Sequence, residues 1–71
     1  MLYARQRMIR KELERIPRGL KGSPQNQVRQ IVTVQYLNGK SFDESVEIAV
    51  TFVRQSYPSF TLKILPPRSQ S

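Results

Sequence analysis

The spacing of apolar residues at the start of the chain predicts an amphipathic helix over residues 2–16. Four apolar residues fall in one narrow sector when successive residues are placed 100° apart, as they are in an α-helix. These four are Leu2, Ile9, Leu13 and Ile16. Pro17 disfavours helical geometry at the residue before it, so we expect the helix to end at this point.

Turn-forming residues occupy the next segment, and a run of β-branched and aromatic residues follows it. Residues 17–26 contain two prolines and two glycines, which is typical of a linker. Residues 27–37 are rich in side chains that favour the pleated geometry of a strand. One face of that strand would carry Val28, Val32, Val34 and Tyr36. The pattern therefore predicts a first strand over 27–37.

A helix start is the most specific local signal in the chain. Asn38 and Gly39 form a turn dipeptide, because both residue types tolerate positive φ. Ser41 and Glu44 have the spacing of a capping box, in which each side chain satisfies a free amide at a helix start. An apolar stripe at helical spacing follows and ends before Pro58. We therefore predict a second helix over about residues 42–56.

The last ordered element predicted from the sequence is a short strand over residues 59–65. Phe60, Leu62 and Ile64 alternate with Thr61 and Lys63, which is the period of a half-buried strand. Two prolines end the alternation, and the remaining residues, 67–71, are expected to form a disordered tail.

These elements predict a small single domain of the α+β class with the order α-β-α-β. Residues 27–66 would form a βαβ unit, and residues 1–16 would form a basic amphipathic helix joined to it by the 17–26 linker. Two strands rarely make a stable sheet in water. The sheet would therefore be completed by the N-terminal helix, by a second copy of the chain or by a partner's strand.

Composition argues against catalysis. The 71 residues include no His and no Cys, so the side chains that most often serve as general bases, nucleophiles and metal ligands are missing. Asp43 and Glu47 are four residues apart on the predicted helix, and we interpret them as partners of the helix dipole. The sequence thus predicts no enzyme activity, no cofactor and no metal site.

Charge points to a polyanionic partner. The net charge is +7, and residues 1–30 hold eight Lys and Arg against two Glu. Arginine suits phosphate contact because its planar guanidinium donates several hydrogen bonds. We therefore predict a small accessory protein that binds RNA or DNA mainly through backbone phosphates. The side chains predicted to contact phosphate are Arg7, Arg10, Lys11, Arg18 and Lys21.

A second hypothesis is a protein-binding regulator or assembly factor. Ile48 and Phe52 form an apolar edge beside the main stripe of the second helix, and this edge is either an interface or the seat of the N-terminal helix or Leu20. The basic helix would alternatively dock on an acidic protein surface or an anionic membrane surface. A homodimer is a further option. No run approaches the roughly 18 apolar residues of a membrane span, and the lack of Cys favours the cytoplasm.

Overall fold

The chain begins with a helix, as its apolar spacing predicts. The computed structural model describes residues 2–67, and α1 runs over Leu2–Glu12. A 3₁₀ turn at Leu13–Arg15 continues it, and the Ile16 amide closes that turn on the Leu13 carbonyl at 3.0 Å. Ile16 itself is extended, as expected for a residue before proline. The predicted helix over 2–16 is therefore confirmed, with its last turn tightened.

The second element is a helix, and the predicted strand over 27–37 is wrong. α2 spans Pro24–Leu37, so the linker ends before residue 24 rather than at residue 26. Ser23 caps the helix by accepting a hydrogen bond from the Asn26 amide, and Pro24 occupies the first helical turn, where its missing N–H costs nothing. The capped start and tertiary burial of one face outweigh the β-propensity of the valines.

The turn and the helix that follow it agree with the sequence. Gly39 has φ +107°, a conformation that a side chain would strain. The Ser41 hydroxyl accepts a hydrogen bond from the Glu44 amide at 3.1 Å. α3 then runs over Phe42–Arg54, so the predicted helix is confirmed and ends two residues earlier than expected.

The C-terminal segment is extended without forming a strand, so the predicted strand over 59–65 is also wrong. Its backbone bonds include Leu65 N–H to the Arg15 carbonyl at 2.6 Å. At Lys63 the partner is the side chain of Gln25, which accepts from the backbone N–H at 3.2 Å and donates to the carbonyl at 2.9 Å. A side chain supplies only one such pair of bonds, so no ladder develops.

These findings correct the predicted fold class. Over residues 2–67 the protein is all-helical and has no sheet, so neither the α+β class nor a βαβ unit over 27–66 is correct. Of the predicted tail, 67–71, residues 68–71 lie outside the described residues.

One core joins the three helices. α2 packs against both α1 and α3, and its buried residues Val28, Val32 and Tyr36 lie four apart. Phe60 and Leu62 of the extended segment pack against the same core. The buried apolar residues are Ile9, Ile16, Val28, Val32, Tyr36, Phe42, Ala49 and Val53. The loop between α1 and α2 and the outer faces of all three helices are left to carry function.

Candidate anion-binding cleft and apolar groove

Several arginines hold the fold together rather than face a ligand. Arg5 donates from Nε to the Tyr36 carbonyl at 2.8 Å and from Nη2 to the Lys40 carbonyl at 2.6 Å, and its guanidinium lies over the Tyr36 ring. It thereby ties α1 to the end of α2. Arg15 donates to the Leu65 carbonyl at 3.1 Å and anchors the C-terminal segment. These side chains are committed to internal contacts.

Arg29 both braces the fold, through Nη1 alone, and lines a surface depression. Its Nη1 donates to the Leu13 carbonyl at 2.8 Å and to the Ile16 carbonyl, so it caps the end of the 3₁₀ turn from its place on α2. Burial lowers the pKa of Arg29, and the positive charge of nearby Arg18 lowers this pKa further. Two guanidinium groups thus lie close enough to repel each other.

The five side chains predicted to contact phosphate are all exposed. They form no ion pair and no side-chain hydrogen bond with any other residue in the described part of the chain. The structure brings two of them, Arg10 and Arg18, together with Arg29. Arg7 and Lys11 lie one turn apart on the solvent side of α1, and Lys21 lies on the loop. The five residues are Arg7, Arg10, Lys11, Arg18 and Lys21.

Arg18 and Arg29 line an open depression of about 260 Å³, which we call the cationic cleft. Its remaining walls are polar except at one residue. They are formed by Leu13, Asn26, Gln30 and Thr33. A second depression shares Arg18 and Arg29 and extends the cleft to Arg10, where Glu14 is the only acidic residue that lines it. The Thr33 hydroxyl donates its hydrogen to the Arg29 carbonyl at 2.8 Å. The guanidinium groups and the neighbouring side-chain amides are therefore the donors that can hold a phosphate oxygen from several sides.

Sequence reasoning missed Arg29 as a residue of this cleft. The strand prediction placed it beside Ile31 on the strand face opposite the expected core. On a helix, in contrast, Asn26, Arg29, Gln30 and Thr33 follow the spacing i, i+3, i+4, i+7 and share one face. This polar stripe could have identified Arg29 from the sequence, but the four residues share a face only if residues 24–37 form a helix.

The loop that carries Arg18 and Lys21 is tied to the start of α2. Asn26 accepts a hydrogen bond from the Gly19 amide at 2.7 Å and donates to the Leu20 carbonyl at 3.1 Å. A side chain at Gly19 would collide with Ser23, since its Cβ would lie 2.6 Å from the hydroxyl oxygen. These contacts hold the loop cations beside the cleft.

A second surface, the apolar groove, lies between α2 and α3. It is lined by Ile31 and Val34 of α2 and by Ile48 and Phe52 of α3, and its volume is about 390 Å³. Phe52 is 59% exposed and Val34 is 55% exposed. The predicted interface residues Ile48 and Phe52 therefore lie together on one open surface. In the described chain neither α1 nor Leu20 covers the groove.

The described residues contain no cluster of three or more carboxylate, thiol or imidazole side chains that could hold a metal ion. None of the helices in residues 2–67 has the length and apolar character needed to cross a membrane. Comparison with known proteins finds no matching family model and no significantly similar curated protein or solved structure.

Proposed function

We propose that this protein is a non-enzymatic accessory protein of the cytoplasm that binds RNA or DNA through backbone phosphates. The observation that carries the proposal is the pairing of Arg18 with Arg29 in the cationic cleft, which no carboxylate lines; Glu14 lines only the extension toward Arg10. Two like charges held together cost free energy in the free protein. A bound phosphate between them would replace that repulsion by attraction.

The surrounding cations extend this site in two directions. Arg10 lies at one end of the cleft, while Arg7 and Lys11 continue the positive charge along the solvent side of α1. A nucleic acid presents regularly spaced phosphates, so a line of exposed cations fits it better than it fits a small anion. The cleft walls carry the side-chain amides of Asn26 and Gln30, which can contact phosphate and sugar without reading sequence.

A salt titration tests the proposal. If about five phosphates are contacted, log affinity should fall against log salt with a slope of roughly −4.5 on duplex DNA. The Arg18→Gln variant should weaken binding to all sequences alike and reduce the magnitude of the slope by about 1. Fluorescence anisotropy with labelled duplex DNA and labelled RNA gives both quantities.

Lys40→Gln is the matched control. Lys40 is an exposed cation in the turn after α2, at the end of the helix away from Asn26. At a rise of about 1.5 Å per residue, its position is about 20 Å along the helix axis from Asn26 and about 10 Å from Thr33, the cleft residue nearest to it on α2. Its loss removes the same charge and should leave the slope unchanged. Binding that ignores salt, or an equal effect of Arg18→Gln and Lys40→Gln, would contradict the proposal.

The competing hypothesis is that the same cations dock on an acidic protein. A pull-down from native lysate with and without nuclease separates the two. Partners that disappear after nuclease treatment support nucleic-acid binding, whereas a protein partner retained after treatment supports docking on an acidic surface.

A further inference from the structure

The apolar groove is exposed to solvent, although only 38% of the residues in this chain are hydrophobic. Phe52, Val34 and the partly buried Ile31 and Ile48 form one continuous patch across two helices. Apolar residues scattered singly on a surface are normal, but a contiguous patch with polar surroundings marks an interaction site. The groove therefore differs from the isolated exposed side chains of Met8 and Leu20.

The rim of the groove is almost free of charge. Gln30 and Gln35 line it on α2, and Thr51 and Gln55 extend it on α3. Glu47 is the only charged residue that lines this surface. This neutrality is unusual in a chain with twelve Lys and Arg and a net charge of +7.

We infer that the apolar groove is the interface of a two-fold symmetric homodimer. In such a dimer the same patch meets itself, so a residue at the two-fold axis faces its own copy and a charge there meets a charge of the same sign. A neutral face avoids this repulsion in a strongly basic chain. The inference does not depend on the proposed binding of nucleic acid.

The polar residues of the rim also favour a second copy over an unrelated partner. A glutamine amide both donates and accepts hydrogen bonds, so Gln30, Gln35 and Gln55 can each pair with a glutamine of the other copy. A guanidinium or carboxylate group cannot pair with itself in this way. The side chains of the rim can therefore form hydrogen bonds with the same side chains of a second copy.

The size of the face sets the expected strength of the dimer. α2 and α3 contain 14 and 13 residues, so each is about 20 Å long, and packed helices lie about 9 Å apart. Their shared outer face is therefore about 20 Å square, which is less than the ~800 Å² per partner of a standard interface. We expect a reversible dimer with a dissociation constant on the order of 10–100 µM.

The position of Gln30 links the dimer to the cationic cleft. This residue lines both the cleft and the groove, so the two surfaces lie on neighbouring sides of α2. Pairing through the groove would place the two clefts of a dimer on either side of the interface and leave both open.

Sedimentation velocity of the full chain tests the inference. Measurements at about 0.5 M NaCl keep nucleic acid dissociated, and the protein concentration is varied from about 5 to about 500 µM to bracket the expected dissociation constant. The weight-average mass should rise from 8.3 kDa toward twice that value. Phe52→Ser and Val34→Ser should each raise the dissociation constant at least about tenfold. Leu20→Ser and Met8→Ser remove exposed apolar groups elsewhere and should dimerise like the natural sequence.

A second measurement locates the axis. The chain has no cysteine, so a single Val34→Cys substitution introduces a unique thiol in the groove, and Leu20→Cys is its control. Oxidation should cross-link the first variant and leave the second dimeric without a covalent cross-link. A mass of 8.3 kDa at every concentration, association that continues beyond the dimer, or unchanged dimerisation of Phe52→Ser and Val34→Ser would overturn the inference.

Discussion

Arginine side chains serve two purposes in this protein, and burial separates them. Arg29 is partly buried and donates to two backbone carbonyls of the preceding turn, whereas Arg18 is exposed, lines the cleft and forms no ion pair in the described residues. Removing the Arg29 guanidinium leaves the Leu13 and Ile16 carbonyls without this donor. Removing the Arg18 guanidinium leaves the protein with one repulsive charge fewer.

Replacing Arg29 by Gln should therefore destabilise the fold. Ile16 is fully buried, and leaving its carbonyl without a donor costs about 1–3 kcal/mol. Urea unfolding followed by circular dichroism measures the difference. Arg18→Gln removes the same charge from an exposed position and also relieves the repulsion that lowers the pKa of Arg29, so it should be at least as stable as the natural chain. Equal losses in the two variants would show that Arg29 does not brace the turn.

The roles of these arginines also differ in how far they can be predicted from the sequence. Arg10 and Arg18 could be predicted as candidate phosphate contacts because the surplus of positive charge near the N-terminus is visible in the sequence. Arg29 could not, because its role depends on the carbonyls of Leu13 and Ile16, which tertiary packing brings to it. Bonds between residues distant in sequence carry no local pattern.

At the level of elements, the wrong prediction of a strand over residues 27–37 has a specific cause. Val28, Val32 and Tyr36 lie four apart, and a spacing of four places residues on one face of both a strand and a helix. Only Val34 distinguishes the two, because it shares that face in a strand and leaves it in a helix, and it is 55% exposed here. The Ser23-Pro24 pair, which is typical of a helix start, was the stronger signal.

The capped start of α3 is the local structure that the sequence predicts best. Because Ser41 satisfies the Glu44 amide, Ser41→Ala should lower the free energy of unfolding by about 1 kcal/mol. Ser41→Asp keeps an acceptor at the cap and should retain most of that stability. Chemical denaturation of both variants checks this, and a Ser41→Ala protein as stable as the natural one would contradict it.

One side chain makes all the hydrogen bonds that hold Lys63 of the extended C-terminal segment. Gln25 donates to the Pro17 and Lys63 carbonyls and accepts from the Lys63 amide. Gln25→Ala should therefore release this segment while the helices stay folded, and hydrogen exchange at the Lys63 amide should accelerate. Gln25→Glu keeps only the acceptor, so exchange in this variant should be intermediate. Unchanged exchange in Gln25→Ala would assign the attachment to the remaining contacts, which are the bonds from Arg15 and Arg54 and the packing of Phe60 and Leu62 on the core.

On the scale of the whole molecule, the helices sort charge into separate surfaces. Basic residues cover α1 and the loop beside the cleft, and neutral residues line the groove between α2 and α3. The sequence shows the first of these as an N-terminal charge surplus. The second becomes visible only when α2 is a helix, because the two sides of the groove come from segments about 17 residues apart that the βαβ arrangement would have separated.

This charge distribution predicts that salt stabilises the fold. Residues 2–67 carry eleven of the twelve Lys and Arg and all five Asp and Glu in a body of 34 × 29 × 21 Å, and these residues contain one ion pair, between Arg15 and Glu12. Repulsion among the cations therefore favours unfolding. Raising NaCl from about 10 to about 100 mM shortens the screening length from about 30 to about 10 Å, which is less than the width of the molecule. The thermal midpoint should rise, and a gain of about 1 kcal/mol corresponds to ~4–8 °C in a domain of this size.

A charge-reduced variant separates self-repulsion from general salt effects. Arg7→Glu combined with Lys11→Glu takes the net charge from +7 to +3, since each replacement removes two units, and both positions are exposed on α1. Its midpoint should respond less to NaCl than that of the natural chain, while Arg7→Lys with Lys11→Arg should respond equally. A thermal midpoint that falls as salt is added would mean that attractive ion pairs outweigh the repulsion between cations. That result would contradict the proposal that these cations form an exposed surface for binding a polyanion.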